Sequence, residues 1–181
     1  MADPRPRTGR PAPGEYAEYA TRDISAVPGD DAVEALERLA GETVALFHAL
    51  AEPATRGLTY AHGKWTLKEV LGHLVDDERV FAYRLFCLAR GEEGELAGFD
   101  ENRYAAHAES EGRSLDELLA EYAAVRAATL ALLRTLSPAA WARRGRVNGY
   151  AASVRGLAFH IAGHELHHLR VVRERYLPEP R

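Results

Sequence analysis

Four long segments of this chain carry apolar residues at helical spacing, and this pattern constrains the fold more than any other feature of the sequence. The segments begin near Asp30, Thr66, Ser114 and Ser153, and the second and third open with the spacing of a capping box. No segment alternates apolar and polar residues strongly enough to predict a strand. Because 46% of the residues are hydrophobic and can form a core, the pattern predicts an all-α fold, a four-helix bundle.

The length of 181 residues is that of one domain, which we place at residues 16–178. Residues 1–15 contain four prolines and few apolar side chains, so they are predicted to be a disordered tail. Residues 16–29 are interpreted as an extended arm that lies over the bundle.

The connector between the second and third helices is longer than a tight turn between helices needs. It spans residues 91–113, about 23 residues, whereas the other two connectors have about 15. A connector of that length can return along the bundle. The second and third helices would then be parallel, and the second and fourth helices antiparallel.

Charge and cysteine content exclude several classes of protein. The net charge of −4 argues against nucleic-acid binding through a general basic field. One cysteine, Cys87, cannot form a disulfide framework. The sequence contains no apolar run of membrane-spanning length. The N-terminus lacks the apolar stretch of a signal peptide, so we expect a cytoplasmic protein.

Histidines are concentrated in the last helix, and three of the eight form a candidate metal site. His164 and His168 are four residues apart and share one helix face. His73 lies on the apolar stripe of the second helix, where it is either a ligand or a satisfied core histidine. Three imidazoles with one vacant position are typical of a catalytic zinc site, and nickel also accepts imidazole.

Spacing alone does not choose the pair in the last helix, because His160, His164 and His168 form a ladder with steps of four residues. The relative direction of the second and fourth helices does determine the pair. His73 is about 10 Å into its helix. An antiparallel last helix brings His168 and His164 to that level, whereas a parallel one would bring His160.

The run His164-Glu165-Leu166-His167-His168 also matches the HExxH pattern of zinc proteases, in which Glu165 would be the general base. The downstream ligands of the known protease classes are missing, so we disfavour a protease. A ferritin-like di-iron site needs an ExxH motif on each of two helices, and the last helix alone supplies one.

Two motifs resemble those of the DinB-like superfamily. They are Gly63-Lys64-Trp65-Thr66-Leu67-Lys68-Glu69-Val70-Leu71-Gly72-His73-Leu74-Val75-Asp76, followed by Glu78-Arg79, and Ala162-Gly163-His164-Glu165-Leu166-His167-His168-Leu169. Residues 27–30 and 98–101 are also similar to members of this group. The resemblance extends over roughly residues 15–177.

The resemblance implies an up-down-down-up four-helix bundle with a long crossover between the second and third helices. It also implies a divalent metal ion held by His73, His164 and His168. Members with known activity transfer low-molecular-weight thiols, including bacillithiol and mycothiol, to electrophiles or isomerise thiol adducts. Many others are regarded as metal-dependent hydrolases.

We therefore expect a metal-dependent enzyme of thiol S-transferase type that acts on a small molecule. Zn²⁺ and Ni²⁺ are the expected ions, and a low-molecular-weight thiol is the expected co-substrate. Two alternatives use the same ligands: a hydrolase with Glu165 as base, and a non-catalytic metal-binding stress protein. We expect no nucleic acid or membrane partner. Bundles of this kind expose apolar helix surface, so we expect a homodimer.

Further residues are expected to support the site. Asp77 lies one helical turn after His73 and could orient a ligand imidazole. The middle connector is a candidate to cover the metal end of the bundle. Its candidates for substrate contact are Asp100, Arg103, Tyr104 and His107.

Overall fold

Four long helices form the body of the protein, and the predicted all-α four-helix bundle is confirmed. The structure is a computed structural model that describes residues 8–50 and 57–177. The elements in chain order are α1 (Thr21–Ala26), α2 (Ala32–His48), α3 (Leu67–Ala89), α4 (Glu101–His107), α5 (Leu115–Leu133), α6 (Pro138–Trp141), β1 (Arg144–Val147), β2 (Tyr150–Ser153) and α7 (Val154–Val171). A π-helical turn, Val172–Tyr176, continues α7.

Local sequence sets the starts of the long helices. At α3 the hydroxyl of Thr66 accepts a hydrogen bond from the Glu69 amide at 3.1 Å, and the Glu69 carboxylate accepts from the Thr66 amide at 2.7 Å. The same reciprocal capping box opens α5. At α7 the hydroxyl of Ser153 accepts from the Gly156 amide at 3.0 Å. These bonds satisfy amides that have no partner within the helix.

Helices α3 and α5 run in the same direction. Near the start of both, the Lys68 ammonium donates to the carbonyl of Arg113 at 2.7 Å. Farther along both, Arg126 of α5 binds Glu78 of α3 at 2.8 Å. A parallel pair of consecutive long helices requires the long connector that the sequence shows.

Helices α3 and α7 run in opposite directions. The ring of His73, early in α3, lies 4.8 Å from that of His164, and the ring of Phe81, two turns later, lies 3.8 Å from that of His160. Residue numbers rise along α3 while those of their partners fall along α7. The up-down-down-up order requires these relative directions.

Residues 8–15, predicted to be disordered from their composition, are held against the bundle by polar contacts in the structure. The Thr8 hydroxyl accepts from the Ala32 amide at 2.9 Å. The carboxylate of Glu15 is 1% exposed and accepts from Arg155 at 2.5 Å and from Ser153 at 3.0 Å. Composition misses such contacts because it measures only the capacity to form an apolar core. Residues 1–7 lie outside the described part of the chain.

Replacing Glu15 by glutamine should lower the free energy of unfolding at pH 7 by about 1–3 kcal/mol, because it removes a buried charge that Arg155 and Ser153 bind. The pKa of Glu15 is lowered chiefly by its hydrogen bonds to Arg155, although burial opposes this effect. A carboxyl group with a lowered pKa adds stability above its unfolded-state pKa of about 4.3, and that stability is lost as the pH falls through the folded-state pKa.

Urea unfolding at pH 7 and at successively lower pH should therefore show the difference between Glu15→Gln and the parent shrinking in acid. Glu93→Gln, at an exposed position, should stay near the parent throughout. Equal effects of the two substitutions at pH 7 would contradict the role of Glu15.

The arm also differs from the sequence expectation, because it is helical rather than extended. It contains a 3₁₀ turn at Glu18–Ala20 and then α1. It does lie over the bundle, as expected. The arm packs so closely on α7 that a Cβ at Gly163 would collide with the carbonyl of Asp23, so Gly163 makes this approach possible.

A short antiparallel hairpin, which the sequence reading did not predict, joins α6 to α7. Strands β1 and β2 have four residues each. The turn residues Asn148 and Gly149 have φ of 50° and 82°, the left-handed values that a two-residue hairpin turn requires. Leu96 of the middle connector adds a bridge beside Val147, so the hairpin also anchors that connector.

Among the helices in the described part of the chain, none combines the length and the apolarity needed to cross a membrane.

Candidate metal centre

Three histidine side chains from two antiparallel helices meet at one point of the bundle. The Nε2 atoms of His73 and His164 are 3.0 Å apart, and those of His164 and His168 are 3.1 Å apart. One nitrogen from each ring lies within 4.8 Å of the others. Two nitrogens on one tetrahedral zinc ion are about 3.3–3.4 Å apart, so this spacing suits a single transition metal ion.

Burial keeps the three imidazoles neutral, which is the form that binds a metal ion. It lowers the pKa of His73 to about 4. Burial, with a smaller effect of neighbouring histidines, lowers the pKa of His168 to about 3. The pKa of His164 also lies well below the ordinary histidine value, again chiefly because of burial. The cluster therefore carries no positive charge of its own near neutral pH.

The carboxyl group of Asp77 contacts His164, the histidine that lies between the other two, on the side away from the cluster. Its Oδ2 lies 3.2 Å from Nδ1 of His164, the ring nitrogen on the side away from the cluster. Asp77 is 4% exposed, and burial raises its pKa to about 8. A cation held on the other nitrogen of His164 would favour the carboxylate form. This is the geometry that orientation of His164 by Asp77 requires.

His160 lies outside the group of converging nitrogens, one turn before His164. Its ring stacks on Phe81 at a centroid distance of 3.8 Å. Its Nε2 is 4.0 Å from the carboxylate of Asp77. The level in α7 that faces His73 is thus that of His164 and His168, as an antiparallel arrangement predicts.

A cavity of about 470 Å³ opens beside the three histidines. The indole of Trp65 covers one side of the cluster, with centroids 4.5 Å from His73 and 6.2 Å from His168. The volume is that of a small-molecule site. Its other lining residues come from the arm, α3, the middle connector, the hairpin and α7: Tyr19, Asp23, Asp77, Phe81, Arg84, Phe99, Glu101, Asn148, Tyr150, His160, His164 and His167.

Glu165 lies in a buried polar network that joins all four long helices. Its Oε2 accepts from Arg126 of α5 at 2.5 Å. Its Oε1 accepts from Thr43 of α2 at 2.5 Å and from the Tyr122 hydroxyl of α5. Arg126 also binds both oxygens of Glu78 of α3. All five side chains are buried.

This placement favours a structural role for Glu165 over the expected role of general base. Both of its carboxylate oxygens already accept hydrogen bonds, and Glu165 does not line the cavity beside the histidines. The network links α7 to the other three long helices at the residue that follows His164.

The four connector residues expected to contact substrate are not in the lining of the cavity beside the histidines. Asp100 caps α4 by accepting from the Arg103 amide at 3.0 Å. Arg103, Tyr104 and His107 line, together with Asp76, a separate cavity of about 490 Å³. The connector does contribute to the histidine cavity, but through other residues.

Sequence comparison assigns these features to a family. The model of the DinB superfamily matches residues 35–172, a span that includes the three histidines and both helices that carry them. The chain belongs to the DinB superfamily. No curated protein matches its sequence significantly.

A solved structure shares the fold of this DinB-superfamily protein. YfiT from Bacillus subtilis, described as a probable metal-dependent hydrolase with an unusual four-helix bundle topology, superposes with a TM-score of 0.71 at 20% sequence identity. The match covers 92% of this chain and 91% of that chain. At that identity the comparison establishes a common fold.

Sequence reasoning missed most of the cavity wall of this DinB-superfamily protein. The sequence does give an indication for Arg84, because this charged residue lies seven positions after Asp77 and therefore on the same face of α3. His167 also lines the cavity, and its Nδ1 lies 3.3 Å from the carboxylate of Asp23 of the arm. No local feature of the sequence indicates that residues of the arm and hairpin line the cavity, because only the tertiary fold brings them to it. These residues are Tyr19, Asp23, Asn148 and Tyr150.

Proposed function

We propose that this protein binds one divalent transition metal ion, Zn²⁺ or Ni²⁺, through His73, His164 and His168 and is a metal-dependent enzyme of thiol S-transferase type. The observation that carries the proposal is the convergence of three neutral imidazoles beside a cavity of small-molecule size. Catalytic zinc sites have three protein ligands, whereas structural ones have four. Residues 8–50 and 57–177 add no fourth His, Cys, Asp or Glu to the group.

A divalent cation at this position would lower the pKa of a thiol that coordinates it and so favour the thiolate near neutral pH. The residues of the chain prepare the site: Asp77 orients His164, and Trp65 shields two ligand rings from water. In the transfer, the thiol sulfur bonds to an electrophilic carbon. The leaving group takes the bonding electron pair, and the thiol proton passes to solvent.

Protein loaded with zinc or nickel should convert bacillithiol or mycothiol and a haloaromatic electrophile into the thioether, which mass spectrometry detects. Removing the metal with a chelator should reduce the rate to the uncatalysed level, because the thiol then keeps its ordinary pKa. His164→Ala should have the same effect. His48→Ala, at an exposed histidine at the end of α2, should retain the activity. Absence of thiol binding at millimolar concentration, with turnover of esters or amides, would replace this proposal with hydrolysis.

Metal-dependent hydrolysis is the second candidate, because YfiT is described as a probable metal-dependent hydrolase. Its base would differ from the one expected from the sequence, since Glu165 is bound to Arg126. Glu101 lines the cavity and is the better candidate. Ester or amide turnover that survives Glu165→Gln but falls in Glu101→Gln would support this alternative. A non-catalytic metal-binding protein would bind the ion and turn over neither class of substrate.

We also propose that the protein forms a two-fold homodimer. The outer face of α3 supports this assembly, because Tyr83 and Phe86, three residues apart, are 62% and 43% exposed. Light scattering should give twice the 20.0 kDa of one chain at micromolar concentration. Replacing both residues by arginine should shift the mass to that of one chain. A parent protein that is already monomeric under these conditions would contradict the proposal.

A further inference from the structure

Arg84 of α3 is a buried cation with incomplete hydrogen bonding. It is 4% exposed. One of its terminal nitrogens donates to the carbonyl of Ala97 at 2.7 Å. Its guanidinium carbon lies 4.7 Å from the ring centroid of Phe81 and 5.5 Å from that of Phe99. In residues 8–50 and 57–177 no other hydrogen-bond acceptor binds this guanidinium, although it has five N–H donors.

Such a group is costly to bury unless something else binds it. A guanidinium loses its hydration in a buried site, and donors without acceptors add to that cost. The rings of Phe81 and Phe99 offset part of the loss through cation–π attraction. They offer no acceptor for the free N–H groups, which therefore remain available to a ligand.

Arg84 lines the same cavity as the three histidines, but its guanidinium lies at a different level. Phe81, over which it lies, is eight residues after His73, which corresponds to about 12 Å of helix. The cavity thus has a reactive end at the histidines and a cationic end at Arg84. Neutral polar side chains, Asn148 and Tyr150, line the cavity as well.

We propose that Arg84 binds a carboxylate group of the molecule whose reacting end lies at the three histidines, so that the site selects small molecules with an anionic group at this separation. The inference rests on the proposed function, because it assigns a reacting end to the histidines. The planar guanidinium matches a carboxylate, and a charge-assisted bond in a site walled by two aromatic rings is strong. Glu101 lines the cavity too and repels additional negative charge, which favours a monoanion.

Calorimetric titration of the zinc-loaded protein tests this inference with three probes: mercaptooctanoic acid, mercaptooctanol and octanoic acid. The first two differ only in the group at the far end of a chain long enough to span most of the distance. The parent protein should bind the acid about 10- to 100-fold more tightly than the alcohol. Arg84→Gln should remove this preference. Arg84→Lys should retain part of it, because lysine keeps the positive charge but lacks the paired N–H donors of a guanidinium.

The matched control is Arg90→Gln. Arg90 also lies over a phenylalanine ring, 5.2 Å from the centroid of Phe86, and it is exposed at the end of the same helix. Its replacement should leave the preference for the acid unchanged. If Arg84→Gln fails to fold by circular dichroism, the parent and Arg84→Lys still decide the question.

The outcomes separate the two proposals. Equal and measurable binding of acid and alcohol by the parent would uphold thiol binding and overturn the role of Arg84. A preference for the acid that survives Arg84→Gln would also overturn it. If the parent binds neither thiol, the proposed thiol chemistry fails and octanoic acid tests the carboxylate site. Binding of octanoic acid by the parent that is lost in Arg84→Gln would uphold the site. Absence of binding by the parent would overturn it.

Discussion

Replacing His73, His164 or His168 by alanine is expected to abolish stoichiometric binding of Zn²⁺, as measured by equilibrium dialysis and metal analysis of the untagged protein. Each ring supplies one of three nitrogens that lie within 4.8 Å of one another. Removing one leaves two ligands, fewer than the zinc sites of proteins use. Circular dichroism should show that the variants keep their helices.

His160→Ala is the matched control, because His160 occupies the same face of α7 one turn earlier and stacks on Phe81 instead of joining the cluster. It should retain most of the metal binding. Asp77→Asn should have an effect between that of the three histidine variants and that of His160→Ala. It should weaken metal binding by about 10- to 100-fold, since Asp77 acts through His164. Loss of metal in His160→Ala, with retention in His168→Ala, would overturn the ligand assignment and the antiparallel pairing behind it.

Arg126→Met is expected to lower the free energy of unfolding by about 3–5 kcal/mol, because it leaves the carboxylates of Glu78 and Glu165 buried without their cation. The three side chains are 2–3% exposed. Urea unfolding followed by circular dichroism measures the change. Adding Glu165→Gln to the Arg126→Met variant removes one of the unpaired charges and should restore part of the stability.

Arg134→Met is the matched control at the end of the same helix. Arg134 pairs with Glu37 at 2.6 Å, but the two side chains are 47% and 33% exposed. The loss should be about 0–1 kcal/mol, as for other surface ion pairs. Equal losses in the two variants would show that the buried network does not hold the helices together.

The parts of this fold that local sequence determines were predictable. Thr66 and Ser114 form the capping boxes that their spacing with a glutamate predicts, and the helices they start are those of the apolar stripes. The length of the connector at residues 91–113 favoured parallel second and third helices. The level at which α7 faces His73 followed from these two features, since the antiparallel neighbours of His73 are then His164 and His168.

The parts that depend on contacts distant in sequence were not predictable. The hairpin is a different case: Asn148-Gly149 is a strong local signal for its turn, although its four-residue strands are too short to show a clear alternation of apolar and polar residues. Glu165 shares a motif with two histidines, yet its side chain binds Arg126, which is 39 residues away in sequence. No spacing within α7 indicates such a partner.

The four connector residues expected to contact substrate lie away from the histidine cavity for a related reason. The connector was expected to cover the metal end, and it does reach the cavity, through Phe99 and Glu101. Asp100 is instead used to cap α4, a local role that its position before a helix allows. The turn of α4 then places Tyr104 and His107 on a different cavity. A linear sequence does not reveal which side of a short helix faces the site.

Crystals of the zinc-loaded protein, measured at the zinc absorption edge, test the central claim most directly. We expect one anomalous peak, about 2.0–2.1 Å from the Nε2 atoms of His73, His164 and His168, with no fourth protein ligand and with the cavity on its open side. A peak elsewhere, no peak, or a fourth side chain that completes the coordination would contradict a three-histidine catalytic metal centre.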